Sequence, residues 1–515
     1  MTAKKIFLAV SFLFLFLNKQ GQAQKASAFI KSTPEAEGVS SQGIIDFLDA
    51  ASKTKHEFHS IIFLLHGKSI AEGWWNPYRP NLVHSMYSCS KSFTATAIGF
   101  AVSEHLLTVN DKVISFFPNE LPDTVSKYLD ELTVKDVLMM SDGQEPDPTG
   151  TVVIKENWVK GFLALPMPHE PGTTFLYNST GTYMLSAIVQ KVTGKKVIDY
   201  LKPRLFDPLG IEGIDWETDP HGINTGGWGL RLKTEDMAKF GQLFLQKGKW
   251  NGRQILPAEW VQDASTVKII QHPDYPQSKR DSSDWEQGYC YQMWRCRHNA
   301  FRGDGAFGQY IIVMPDQDAV IAITSETANM QGQLDLVWKY LLPAMQKETL
   351  PANKTVEAKL QQQLTSLALP QLKKNDIIYS ETNIEGKTFS LESNDKNLMT
   401  ASFQFKNNIC QLILKTDTAN YVLNFGSGKW QVGETTKHGP YLVAAAKANL
   451  TGLPPFKIVG EYTWKDEKTL ELVLRYIESP HTETIVCSYD GKNILMTFEK
   501  SFDPGKDIMK GKMNE

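Results

Sequence analysis

The N-terminal two thirds of the chain alternate between short apolar runs and segments with helical spacing. Residues 59–66 (HSIIFLLH) form an apolar run that ends at Gly67-Lys68, which predicts a strand and a hairpin turn. Residues 309–324 predict two apolar strands joined at Pro315-Asp316. Apolar positions recur at helical spacing in residues 90–106, 133–140, 182–192, 234–246 and 334–345. Strands at both ends with helices between them predict an α+β body whose sheet is built from both ends of this part.

The pattern changes near residue 350. Residues 351–375, which contain Pro351, Pro370 and a Gln-rich helical segment, are interpreted as a linker. Beyond them apolar and polar positions alternate, and Asp490-Gly491 separates two strand-like runs as a hairpin turn would. Because the linker separates the two patterns, we expect the N-terminal part to fold alone. The predicted parts are a body over residues 24–350, the linker, and an all-β barrel or sandwich over residues 376–515.

The first residues have the pattern of a signal peptide. Lys4 and Lys5 precede an apolar stretch over residues 6–17, and a plausible cleavage site follows at residues 21–23. The apolar stretch is too short to cross a hydrocarbon core of ~30 Å as a helix. These features predict a signal peptide over residues 1–23 and a protein that is periplasmic or secreted, without a transmembrane anchor.

Composition narrows the classes of function. The 515 residues are 42% hydrophobic and 22% charged with a net charge of -3, so we expect a globular protein that does not bind nucleic acid. Five cysteines leave at least one unpaired in a monomer. Residues 288–294 read as a strand, which would separate Cys290 from Cys296 by roughly 20 Å unless the chain reverses between them. We therefore expect no disulfide between them, and no metal or cofactor, because no metal-ligand spacing occurs.

Candidate chemistry lies at Ser88 and Lys91, which form an S-x-x-K pattern at the start of the helix predicted over residues 90–106. Residues three apart lie on the same face of a helix, so the amine can reach the hydroxyl. A partly desolvated lysine can accept the proton of a serine and so make it a nucleophile. The same pattern occurs elsewhere, for example at Ser52 and Lys55, but only Ser88 precedes a helix of small apolar residues.

Five ordered segments carry a resemblance to a known family. They are SCSK (residues 88–91), LTVKDVLMMSDG (132–143), PGTTFLYNSTGTYMLSAIVQKVTG (171–194), GGWGLRLKTEDMAKFGQLFLQKGKW (226–250) and FRGDGAFGQYIIVMP (301–315). Through these segments, residues 32–346 resemble the serine β-lactamase and penicillin-binding-protein superfamily, in the class C-like branch that also holds esterases and D-amino-acid peptidases. The resemblance implies an antiparallel sheet flanked by helices beside an all-helical lobe.

The second family motif, Y-x-N, falls on residues 177–179. The resemblance implies that Tyr177 moves protons between the nucleophile and the leaving group. A phenol can do so if a nearby cation lowers its pKa, and Lys91 is the expected source. Ser179 replaces the amide side chain that usually orients the substrate in this family.

The third family motif, normally led by a cationic residue, aligns with Gly303, Asp304 and Gly305. No lysine or histidine is present to bind a substrate carboxylate, and Asp304 would repel anions if it faced the pocket. Arg302 should point to the face opposite Gly303, because side chains alternate along a strand. Gly305 and Ala306 can bring a backbone N–H to the reacting carbonyl, which with the Ser88 N–H would form an oxyanion hole.

These observations predict an exported serine hydrolase of the β-lactamase-related type, acting through an acyl-enzyme on Ser88. Lys91 and Tyr177 are the expected base system, and the substrate is a small ester, amide or peptide. Because the third motif lacks its cation, neutral esters or amides are favoured over β-lactams. Two alternatives stay open: an acyltransferase that uses an alcohol or amine acceptor, and a non-catalytic protein that binds cell-wall fragments through the β domain.

Overall fold

The computed structural model describes residues 29–373, 384–448 and 453–514. The predicted signal peptide, residues 1–23, lies outside the described residues. So does the predicted boundary between residues 375 and 376. The domain limits given above therefore stay predictions.

The N-terminal body is built on a six-stranded antiparallel sheet. The strands of the body are β1 (Glu57–Leu65), β2 (Lys68–Trp74), β3 (His84–Ser85), β4 (Asp215–Trp216), β5 (Leu230–Leu232), β6 (Lys249–Trp250), β7 (Arg253–Gln254), β8 (Trp294–Arg295), β9 (Phe301–Gly305), β10 (Gln309–Met314) and β11 (Ala319–Glu326). The large sheet has the order β2-β1-β11-β10-β9-β8, and β3-β5-β4 and β6-β7 form two small ones. Because β1 pairs with β11, the sheet is built from both ends of the body, as the sequence predicted.

Helices cover both faces of this sheet and fill a separate lobe. They are α1 (Ser41–Ala51), α2 (Ser90–Ser103), α3 (Lys127–Glu131), α4 (Val134–Leu138), α5 (Thr149–Val152), α6 (Trp158–Leu163), α7 (Ser179–Thr193), α8 (Val197–Leu201), α9 (Asp207–Leu209), α10 (Thr234–Leu245), α11 (Ala258–Ala264), α12 (Gln277–Asp281), α13 (Met330–Leu336), α14 (Leu342–Ala344) and α15 (Lys354–Thr365). All five predicted helical segments contain helices. Across the described ranges, no helix combines the length and apolarity that a bilayer span requires.

Side-chain alternation divides the body into two cores. On β10, Ile311 and Val313 face the core that contains α2, α7 and α10, whereas Ile312 faces the core that contains α1 and α13. Helix α2 is buried along residues 90–101, and its small residues allow close packing. An added Cβ at Gly99, for example, would overlap the indole ring of Trp260. This helix carries the predicted catalytic serine and lysine at its N-terminal end.

The strand predicted over residues 288–294 does not form. The chain turns at Gln292, whose φ is +58°, and Cys290 N–H donates to the Met293 carbonyl at 2.8 Å. Tyr289 then pairs with Trp294 as an isolated antiparallel bridge. Both Cys290 and Cys296 are buried free thiols. Because the chain reverses between them, the separation expected for a strand does not apply. A short polar turn inside an apolar run hid the reversal.

The C-terminal part is a closed nine-stranded barrel with one additional strand. Its strands are β12 (Thr388–Leu391), β13 (Thr400–Lys406), β14 (Ile409–Lys415), β15 (Asn420–Ser427), β16 (Gln431–Thr435), β17 (Phe456–Trp464), β18 (Thr469–Tyr476), β19 (Thr482–Tyr489), β20 (Asn493–Lys500) and β21 (Asp503–Met513). Parallel pairing of β15 with β17 closes the barrel, and β16 pairs with β17. Leu470, Leu472 and Leu474 alternate into a filled interior. The all-β prediction is confirmed.

The barrel and the body share a hydrophobic core. Leu360 and Leu364 of α15, inside the predicted linker, pack in the same core as α1 and β1. Val459 and Ile477 of the barrel belong to that core as well. The segment interpreted as a linker is therefore in part a helix packed on the body, and the barrel is packed against it.

Polar contacts reinforce this interface. Arg231 on β5 pairs with Glu478 at 3.3 Å, and Arg475 on β18 pairs with Glu57 on β1. The Tyr78 hydroxyl donates to the Ser479 carbonyl at 3.0 Å. The side chains of these ion pairs are mostly buried, so removing the barrel or the body would leave the charge of the remaining partner without compensation.

Candidate active site

Ser88 lies in a single 3-10 turn, Tyr87–Cys89, directly before α2. The Ser90 hydroxyl ties this turn to the body: it donates to the Tyr87 carbonyl at 2.6 Å and accepts from the Leu230 N–H at 3.2 Å. Ser88 is half-buried, so its hydroxyl is accessible, whereas the residues on either side of it are buried. The turn thus presents a serine at a helix N-terminus, where the helix dipole favours negative charge.

Lys91 lies one turn into α2 and is 1% exposed. Its Nζ donates to Ser88 Oγ at 3.1 Å, to Ser179 Oγ at 2.9 Å and to the Gly227 carbonyl at 2.8 Å. Burial lowers the pKa of Lys91 to about 7, because the charged form loses its hydration in the interior. A large fraction of this amine is therefore neutral near neutral pH and can accept a proton from Ser88.

Tyr177 is half-buried, and the centroid of its ring lies 4.8 Å from Lys91 Nζ. It stacks on Trp294 with 5.6 Å between ring centroids, and Ser88 lies close enough to its hydroxyl to affect its pKa. Burial raises the pKa of Tyr177, with the Ser88 side chain opposing it. The expectation that Lys91 would lower the pKa of this phenol is wrong, because burial penalises the phenolate and leaves Lys91 itself largely neutral. Tyr177 is thus a protonated phenol at neutral pH.

The other two residues of the second motif have separate tasks. Asn178 caps α7, its Oδ1 accepting from the N–H groups of Thr180 at 2.9 Å and Gly181 at 3.1 Å. Its Nδ2 donates to Asp142, whose pKa burial raises to about 7. Ser179 is the residue that touches Lys91. A hydroxyl therefore holds the lysine at the position where an amide was expected.

The third motif lies at the end of β9, beside the turn that carries Ser88. An added Cβ at Gly305 would overlap the Met86 carbonyl oxygen, so only glycine allows this approach. Ala306 follows in the loop to β10. An added Cβ at Gly303 would lie 3.3 Å from Ser92 Oγ, so that position faces α2. A lysine there would enter the packed helix instead of the space beside Ser88.

Asp304 lies on the face opposite Gly303, together with Arg302. Arg302 Nε is 2.7 Å from the Asp304 carboxylate, and both side chains are buried. Burial raises the pKa of Asp304, and the guanidinium of Arg302 opposes this shift. Arg302 also lies 4.4 Å from the Trp285 ring, and Arg297 pairs with Asp284 at 2.8 Å. Arg302 and Arg297 are therefore each paired with a carboxylate.

Sequence reasoning missed three kinds of contact. Gly227 lies in a matched segment, but nothing in its sequence shows that its carbonyl accepts from Lys91. An aromatic cluster of Phe175, Tyr289 and Trp294 packs beside Tyr177. Tyr441 of the barrel stacks on the ring of Tyr87 at 5.9 Å, and its hydroxyl donates to Glu217 at 2.8 Å. The barrel therefore packs against the turn that carries Ser88.

Comparison with known proteins gives one family. The Beta-lactamase family model matches residues 59–342, which is more than half of the chain. The match spans the segments that contain Ser88, Lys91, Tyr177 and the end of β9.

Individual relatives are distant. A 6-aminohexanoate-dimer hydrolase of Paenarthrobacter ureafaciens is 24% identical over 282 residues, covering 51% of this chain and 71% of that protein. An N-acetylmuramyl-L-alanine amidase of Bacillus subtilis is 27% identical over 143 residues, covering 25% of this chain and 32% of that protein. A solved structure from Bacillus anthracis, assigned as a 6-aminohexanoate-dimer hydrolase, matches with a TM-score of 0.51 at 22% identity, covering 63% of this chain and 89% of that one. This last likeness concerns the fold.

Proposed function

The chain belongs to the β-lactamase family, and we propose that it is a serine hydrolase that cleaves an ester or amide bond through an acyl-enzyme on Ser88. The observation that carries this proposal is the contact between Lys91 Nζ and Ser88 Oγ at 3.1 Å, made by an amine whose pKa burial lowers to about 7. A neutral amine within hydrogen-bond reach of a half-buried serine is the arrangement that nucleophilic catalysis requires.

In the acylation step, Lys91 takes the proton of Ser88 as Oγ bonds to the substrate carbonyl carbon. The N–H groups of Ser88 and Ala306 receive the negative charge that develops on the carbonyl oxygen. Loss of one such donor costs roughly 3 kcal/mol of transition-state stabilisation. The carbon–leaving-group bond then breaks, and the leaving oxygen or nitrogen takes a proton through the Tyr177 hydroxyl. Because burial raises the pKa of Tyr177, this group passes protons on without existing as a stable phenolate.

Deacylation uses the same groups in reverse. Lys91, again neutral, accepts a proton from water as the water oxygen attacks the acyl carbon. The bond between Ser88 Oγ and the acyl carbon then breaks, and Oγ takes the proton from Lys91. The carboxylic acid product departs. Ser179 and the Gly227 carbonyl hold the Lys91 amine in place during both steps.

The charges around the site favour neutral substrates. Arg302 and Arg297, the cations nearest to the third motif in the sequence, are paired with Asp304 and Asp284. The aromatic cluster beside Tyr177 suits an apolar group of the substrate. The relatives named as a 6-aminohexanoate-dimer hydrolase and an amidase support amides as well as esters as the substrate class. We therefore propose neutral short-chain esters and amides.

The test is a fluorophosphonate probe followed by peptide mass spectrometry, with hydrolysis of p-nitrophenyl acetate measured in parallel. We expect an adduct on Ser88 and turnover of the ester, both abolished in Ser88→Ala. The matched control is Ser52→Ala, which alters an exposed S-x-x-K pattern and should leave both unchanged. A folded protein that is neither labelled nor active would instead indicate a binding protein. Ester product formed on an added alcohol would indicate acyl transfer.

We also propose that the protein is exported, on the strength of the N-terminal pattern of lysines, apolar residues and small residues. Expression in a bacterial host followed by N-terminal sequencing of the mature protein tests this. We expect the mature chain to begin at residue 24. A cell-associated protein that retains Met1 would contradict the proposal.

A further inference from the structure

Two residues with left-handed backbone flank the proposed oxyanion hole. Tyr87, with φ of +44°, precedes Ser88, and Phe307, with φ of +66°, follows Ala306. Residues other than glycine rarely adopt this conformation, and it persists only where the surrounding structure holds it. The two residues adjoin the two backbone N–H groups assigned to the oxyanion. Among the described residues, no hydrogen bond from either of those N–H groups is found.

Both strained residues contact one side chain of the barrel, His481. The Tyr87 hydroxyl lies 2.6 Å from His481 Nε2. The Phe307 ring meets the imidazole edge-on, with 4.7 Å between centroids and an angle of 89°. Phe502 packs on Phe307 at 5.2 Å and on His481 at 4.3 Å. His481 is fully buried at this contact.

The hydrogen bonds fix the protonation of His481. Its Nδ1 lies 2.7 Å from the Glu326 carboxylate at the end of β11, so Nδ1 carries the proton and donates to Glu326. Nε2 is then the acceptor, and the Tyr87 hydroxyl donates to it. The Ser501 hydroxyl donates to the same Glu326 oxygen at 2.6 Å. The hydrogen bonds from Tyr87 to His481 and from His481 to Glu326 therefore link the turn that carries Ser88 to the barrel and to the central sheet.

We propose that His481 is a positioning residue for the oxyanion hole, holding Tyr87 and Phe307 so that the N–H groups of Ser88 and Ala306 converge on one point. This inference rests on the serine hydrolase function proposed above. It gives the barrel a part in the reaction, although His481 touches neither the substrate nor Ser88 Oγ. The geometry of the hole then depends on a domain outside the matched family region, since His481 lies beyond residue 342.

The first test removes only the hydrogen bond. Tyr87→Phe keeps the ring and deletes the hydroxyl that bonds to His481. We expect kcat for p-nitrophenyl acetate to fall about tenfold, less than the loss of a whole oxyanion donor, while KM changes less than twofold. The inhibition constant of phenylboronic acid should rise in parallel, because its tetrahedral adduct places an oxygen in the hole. The matched control is Tyr78→Phe, which loses a body–barrel hydrogen bond of the same kind at Ser479 and should leave kcat unchanged.

A second pair of variants keeps the proposal testable if one variant folds poorly. His481→Gln can reach Tyr87 at the position of Nε2, whereas His481→Asn can reach only Glu326 at the position of Nδ1. We expect the Gln variant to retain more than half of the wild-type kcat and the Asn variant to match Tyr87→Phe. The Tyr87→Phe/His481→Asn double variant should lose no more activity than either single variant, because the two changes break one bond.

The results separate this inference from the proposed function. An active wild-type enzyme with full kcat and boronate affinity in Tyr87→Phe would overturn the positioning role alone. An equal loss of kcat in Tyr78→Phe would also overturn it, because the effect would then belong to the interface in general. A folded wild-type protein that neither labels nor turns over would overturn the proposed function and this inference together.

Discussion

The pH dependence of the reaction follows directly from the position of Lys91. A lysine in water has a pKa of 10.5, and burial lowers that of Lys91 to about 7. In the proposed mechanism the neutral amine is the active form, so kcat/KM should be high above pH 7 and fall as the pH drops below it. At pH 7 about half of the molecules hold a neutral Lys91, against about one in three thousand for an unperturbed lysine. Burial therefore raises the active fraction at neutral pH roughly a thousandfold.

The assay is kcat/KM for a neutral p-nitrophenyl ester from pH 5.5 to 9.5. We expect a single rise with a midpoint near 7 and a plateau above it. Asp147→Asn supplies a directed change, because the Asp147 carboxylate raises the pKa of Lys91 against the larger effect of burial. Its removal should move the midpoint to lower pH. The control is Glu156→Gln, which removes an exposed carboxylate and should not move the midpoint.

A second group with a similar pKa has to be separated from Lys91. Burial raises the pKa of Asp142 to about 7 as well, and Asp142 bonds to Asn178. Asp142→Asn preserves the shape of this side chain and should leave the midpoint in place. A profile that rises with unit slope to pH 9.5, or one that is flat throughout, would refute the role of Lys91. A midpoint that disappears in Asp142→Asn would assign the titration to that carboxyl.

Three further outcomes are expected. Gly305→Ala should lower kcat/KM for the ester at least about a hundredfold, because the added Cβ would push β9 away from the turn that carries Ser88. The control is Gly150→Ala, which has open space around it and should match wild type in the same assay. At low salt, the wild-type protein should have a higher kcat/KM for a neutral ester than for its carboxylate-bearing counterpart. Asp304→Asn should reduce this difference in kcat/KM, because it frees Arg302 from its partner. A wild-type preference for the carboxylate-bearing ester would refute the charge argument. In calorimetry, a fragment of residues 24–350 should unfold at a lower temperature than the full chain, because it lacks the residues that α15 and the barrel contribute to the shared core. An unchanged unfolding temperature would contradict this.

The sequence allowed much of the fold to be predicted. Periodicity placed the strands of residues 59–66 and 309–324 and the helix that follows Ser88, because apolar spacing reports which face of an element is buried. Alternation after residue 376 predicted the β domain. The prediction failed over residues 288–294, where an apolar run turns back at Gln292. A run this short is compatible with a strand or with a packed turn, and only the surrounding body selects between them.

Within the candidate site, the sequence determined the local pair. Ser88 and Lys91 are one helical turn apart, and that spacing alone places the amine within reach of the hydroxyl. The protonation of these groups was decided by the tertiary structure. Burial lowers the pKa of Lys91 and raises that of Tyr177, and the depth of a residue depends on every element packed around it. The expected effect of Lys91 on Tyr177 was wrong for this reason.

Long-range contacts were likewise beyond the sequence. The pairing of Arg302 with Asp304 cancels a charge that the motif alone suggested would repel anions. His481 reaches Tyr87 across nearly four hundred residues of chain. Spacing along the chain specifies which side chains share a helix turn or a strand face. Only the tertiary structure decides which distant side chain contacts the site and whether a charge is solvated or paired. The reason is that hydration and Coulomb energy depend on distance in space.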